Sequence, residues 1–71
     1  MRTKERKKLA QKIAACELII ERSTDTNEIK RAQDQIIALS GCVDNIEDMM
    51  AIDELVQDII ANSWQKKNFL I

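Results

Sequence analysis

Residues 36–47, Ile36-Ile37-Ala38-Leu39-Ser40-Gly41-Cys42-Val43-Asp44-Asn45-Ile46-Glu47, decide how many helices this chain makes. Gly41 is the sole glycine and proline is absent. Read as a stop, Gly41 is a helix-ending C′ residue, and Asp44 with Glu47 three residues on opens the next helix at capping-box spacing. Read as a passenger, one glycine costs a helix interior only about 1 kcal/mol. Val43, Ile46 and Met50 then carry the apolar stripe straight through it. The spacing 46, 49, 52, 56 weighs toward the break, because its extra step of three is a stammer that overwinds a continuous coiled coil.

Upstream, Ser23-Thr24-Asp25-Thr26-Asn27 is a second interruption. Asp25 followed by Glu28 fits a capping box: the Asp oxygen takes the amide at N3 and Glu28 reaches back. Thr24 and Thr26 are rival caps. The segment before it carries Leu9, Ile13, Cys16 and Ile20 at steps of 4, 3 and 4, as one helix face requires. Extended backward, that stripe meets Arg6 and Arg2, so the first two turns face solvent or something acidic. The middle segment repeats the pattern with Ile29, Ala32, Ile36 and Leu39, and the last with Met49, Ile52, Val56, Ile59 and Ser63.

The expected fold is therefore all-α: a small three-helix bundle in one domain over 1–71, with helices at about 3–22, 25–40 and 44–63 and an apolar C-terminal tail at 64–71. A hairpin of one short and one long helix is the competing architecture. At 71 residues the chain buries only about 60% of its unfolded surface, so a solitary core is marginal. Staples are scarce. There is no His, and Cys16 and Cys42 stand far apart without ligand-like spacing, so no metal is expected. Both cysteines read as small buried hydrophobes in a reducing, cytoplasmic compartment.

Oligomerisation with coiled-coil-like packing is the remaining staple. Leu9, Ile13, Leu18 and Ile19 spread over more of the first helix than two neighbours readily cover, and Ile37 points away from the Ile29/Ile36 seam. Trp64, Phe69, Leu70 and Ile71 supply an apolar end that a sister subunit could receive. These nine residues are the expected oligomer interface.

Charge is segregated along the chain. Residues 1–12 hold Arg2, Lys4, Arg6, Lys7, Lys8 and Lys12 against Glu5 alone, whereas residues 44–58 hold six acids and no base. The first five of those cations, with Glu47, Glu54 and Asp58, form the expected partner-binding surface. Glu47, Glu54 and Asp58 share the face opposite Val56, a solvated stripe and not a cleft.

Several function classes drop out. No His, no activated Cys, no phosphate loop and no metal signature appear, so neither catalysis nor a cofactor is expected. No apolar run approaches the roughly 18 residues that span a bilayer. The net charge of −1 gives no general drive toward polyanions, and nothing aromatic interleaves the N-terminal cations to stack on bases. The expectation is a non-enzymatic interaction protein that self-associates and binds another protein as adaptor, regulator or inhibitor. The alternative is a nucleic-acid-binding regulator using residues 2–12.

Overall fold

A computed structural model describes the backbone of residues 2–69 and the side chains of residues 2–63. Three helices pack against one another, α1 (Thr3–Arg22), α2 (Thr26–Ser40) and α3 (Ile46–Phe69), with no strand among the described residues. The break at Gly41 is real, and its geometry differs from a left-handed C′ glycine. Gly41 keeps a right-handed backbone (φ −65°, ψ −16°) and still donates to Ile37 O. The chain then tightens: Cys42 N–H donates to Leu39 O and Val43 N–H to Ser40 O, three-residue bonds that end the α pattern.

A Cβ added at Gly41 would sit 3.4 Å from Ala38 O, ordinary contact. Gly41→Ala is therefore expected to stabilise the fold by about 0.4–1 kcal/mol, through a less flexible unfolded chain. Urea denaturation followed at 222 nm checks this, and a loss of stability would show that the turn does need glycine.

The expected cap of α2 stands with a different bonding pattern, and that of α3 moves by one residue. At α2, Asp25 is the N-cap, but it accepts from Asn27 N–H (3.0 Å) and Glu28 does not reach back. Ser23 is inserted instead: its Oγ accepts from Asp25 N–H (3.1 Å) and donates to Glu28 Oε2 (3.2 Å), closing the box through a hydroxyl. At α3 the cap is Asn45 and not Asp44, since Asn45 Oδ1 accepts from Asp48 N–H at 2.8 Å. The helix accordingly begins at Ile46. It also runs on to Phe69, past the expected end near Ser63, because no breaker stands between Ser63 and Phe69. The side chains of Trp64 and Phe69, and all of Leu70 and Ile71, lie outside the described residues.

α1 is the central helix, packed on one side against α3 and on the other against α2. Its direction relative to α3 follows from two contacts. Arg6 meets Asp48 near the start of both helices, and Arg22 Nη2 lies 3.4 Å from Ser63 Oγ near their ends, so α1 and α3 run parallel. The 42 residues between Arg6 and Asp48 also separate Ala10 from Ile52 and Ala14 from Val56. The last four, with Ile13, are all members of one buried cluster: Ala10, Ala14 and Ile52 are 0% exposed. Two alanines one turn apart let α3 approach closely, and the branched side chains of Ile52 and Val56 fill the space.

Cys16 and Ala32 are buried as well. Cys16 lies about 160° around α1 from Ala14, outside that cluster. Cys42, expected inside, is exposed, because the turn after α2 carries it off the apolar stripe. Leu9, Ile36, Leu39, Val43, Leu55, Ile59 and Ile60 lean half-buried on the cluster. The molecule measures 38 × 30 × 15 Å, and its long axis matches the roughly 36 Å of a 24-residue helix. A thickness of 15 Å is little more than one helix diameter, so the core is thin and much apolar surface stays outside.

Candidate functional site

The N-terminal cations divide once the helices are in place. Arg6 lies on the α1–α3 seam and donates through Nε (2.8 Å) and Nη2 (2.5 Å) to the same oxygen of Asp48. Asp48 is 4% exposed, the one buried charged side chain among the described residues. The Arg6 guanidinium holds its carboxyl below the ordinary 3.8, and partial burial, which pushes upward, does not win. Arg6, expected on a partner-binding surface, is thus taken up within the protomer, because the seam runs one turn beyond Leu9 and meets a carboxylate there.

The sign of the pH effect follows from that direction. A carboxylate whose folded value is depressed contributes stability that is fully present above its unfolded value and lost as pH falls through the folded one. Acid unfolding of the parent protein should therefore steepen below about pH 4. Asp48→Asn should be less stable at neutral pH, with Arg6 left half-buried and short of its charge, yet lose less on acidification. Parallel denaturation curves for the two proteins across that range would contradict this.

The remaining expected surface residues separate into two groups. Arg2, Lys4, Lys7 and Lys8 are exposed on or just before α1, and Glu47, Glu54 and Asp58 are exposed on α3. Of the expected interface, Ile13 is 5% exposed and belongs to the cluster, with Leu9 half-buried against it. Ile13 is therefore taken up inside the protomer, and Leu9 packs against the same cluster while keeping part of its surface open. Leu18 and Ile19 line a shallow open groove at the α1–α2 turn with Arg22, Ser23, Asp25 and Glu28. Ile37 stands out at 71% exposure.

Ile46 (77%) and Met50 (64%) are equally open and went unrecognised in the sequence. The signal was present. Measured from Ile52, which faces α1, Ile46 and Met50 lie about 120° and 160° around α3, far from the core. A stripe through Gly41 takes in both residues only if the helix is continuous; with the break, the phase set by Ile52 puts them outside the core. Ile37, Ile46 and Met50 all flank the α2–α3 turn: Ile37 stands one turn before Gly41, Ile46 opens α3, and Met50 follows one turn later. Asp44, Glu47 and Asp53, all exposed, surround them in sequence. Exposed apolar side chains thus stand on both sides of the turn, Ile37 on α2 and Ile46 with Met50 one turn apart on α3, and make it an apolar corner with acids beside it in sequence.

Comparison with protein-family models, with curated proteins and with solved structures finds no match to this chain. Geometry alone carries the functional reading. Among the described residues, no group of His, Cys, Asp or Glu could hold a metal ion, and no helix is long and apolar enough to cross a membrane.

Proposed function

We propose that this protein is a non-catalytic interaction module that self-associates and presents its remaining charged surface to a macromolecular partner. The observation that carries this reading is the apolar corner at the α2–α3 turn. Ile37, Ile46 and Met50 are each more than three-fifths exposed, while the buried apolar residues among those described are seven small or branched ones. Isolated surface hydrophobes need no explanation, but three around one turn of so small a domain mark a contact surface.

Magnitudes say how strong such a contact is. Full burial of each side chain is worth roughly 1.5–3 kcal/mol. A two-fold contact covers the set on both copies, a gross gain on the order of 6–12 kcal/mol after allowing for incomplete exposure. Association itself costs about 4–15 kcal/mol. The expected self-association is therefore weak, with a Kd in the micromolar range or above.

Light scattering with dilution tests it. The parent protein should show a mass above the monomer at tens of micromolar and approach the monomer on dilution. Ile46→Ser/Met50→Ser should remain monomeric throughout with its helical circular dichroism unchanged. A parent protein that stays monomeric at every concentration would sink the proposal.

A further inference from the structure

The Arg6–Asp48 pair leaves the other cations in the first half of α1 as a single face. Arg6 turns into the seam and Arg2 precedes the helix. Lys4, Lys7, Lys8 and Lys12 then occupy an arc of about 140° on the side of α1 away from Ile13. All four are exposed, and none makes an ion pair with another described residue. Seen from the sequence these residues ring the axis; with Arg6 and Arg2 removed, they do not.

α3 carries the complement. Glu47, Glu54 and Asp58 fall within about 40° of one another, opposite Val56, and are likewise exposed and unpaired among the described residues. The lysine face extends about 12 Å along its helix and the carboxylate ridge about 16 Å, so their lengths are comparable. They cannot meet within one protomer. Ile52 points from α3 toward α1, and the ridge is on the far side of α3 from it.

We infer that a second copy of this chain docks on the lysine face of α1 through the carboxylate ridge of its own α3. This rests on the self-association proposed above and names the contact that orients it. Charge complementarity identifies the occupant: each copy presents one unneutralised face of each sign, and the fold keeps them apart. Nucleic acid fits less well. The chain is net negative, and no aromatic residue precedes Trp64 to stack on bases. Exposed pairs are individually weak, so the set acts on orientation and contributes roughly ten- to a hundred-fold in affinity at low salt.

A charge swap tests the contact. Lys4→Glu/Lys8→Glu and Glu54→Lys/Asp58→Lys are made separately, with circular dichroism confirming an unchanged fold at these exposed positions. By sedimentation velocity at low salt, each variant alone should dissociate at least ten-fold more readily than the parent protein. Their equimolar mixture should regain the parent association, since both contacts become attractive again. Variants that associate like the parent, or a mixture that fails to recover, would overturn the docking while leaving self-association standing. A parent protein monomeric at every concentration would instead remove the reading beneath it. Fluorescence anisotropy with labelled duplex DNA and RNA provides the second arm. Tight binding abolished by Lys4→Glu/Lys8→Glu, with association unaffected, would overturn the inference in favour of a polyanion surface.

Discussion

Ile52→Ala is expected to be among the most damaging single truncations, costing about 3–4 kcal/mol. Ile52 is fully buried and is the largest such side chain among the described residues. It shares the buried cluster with Ala10, Ala14 and Val56, side chains too small to fill the space it would leave. A chain of this length has a total stability of about 4–10 kcal/mol, so the variant should lose a third or more of it. Ile46→Ala removes the same atoms from a side chain 77% exposed and should change stability by no more than about 0.5 kcal/mol. Urea midpoints for the pair, taken at a concentration where the protein is monomeric, separate the two. Equal losses would mean that the phase of α3 is misassigned.

Ala14→Leu is the complementary test, made by overfilling. Ala14 is 0% exposed and belongs to the cluster that Ile52 and Val56 complete, so a leucine there forces α1 and α3 apart, at about 1–3 kcal/mol. Leucine is nearly as good a helix former as alanine, so the loss reports packing and not helix propensity. Ala15→Leu, one position on and exposed, should leave the urea midpoint nearly unchanged. If Ala15→Leu proves as costly as Ala14→Leu, α3 does not pack where the 42-residue offset places it.

The α1 boundaries, the three apolar stripes and the break at Gly41 were legible because each rests on local chemistry: helical spacing, breaker content and short polar caps. What was not legible depended on relations between elements. Asp44 and Asn45 are adjacent and cap equally well, so propensity alone does not choose between them; the Asn45 bond to Asp48 N–H decides. That Arg6 would meet an acid could be read from the stripe running past Leu9. That the acid is Asp48 required the register between α1 and α3, which no local pattern encodes. The lysine face was hidden for the same reason, because it exists only after Arg6 is withdrawn. The exposure of Ile46 and Met50 follows from the phase of α3 once Ile52 is known to face α1, and that contact is not local. The apolar end formed by Trp64, Phe69, Leu70 and Ile71 lies outside the described side chains.

The central claim is that the α2–α3 corner is covered by another molecule of the same protein in solution. Methyl resonances of Ile37, Ile46 and Met50, broadened by a soluble paramagnetic probe, report that cover directly, with the buried Ile52 methyl as internal reference. The three should be shielded at high protein concentration and become accessible on dilution, while Ile52 stays shielded throughout. Full accessibility of all three at every concentration would contradict it.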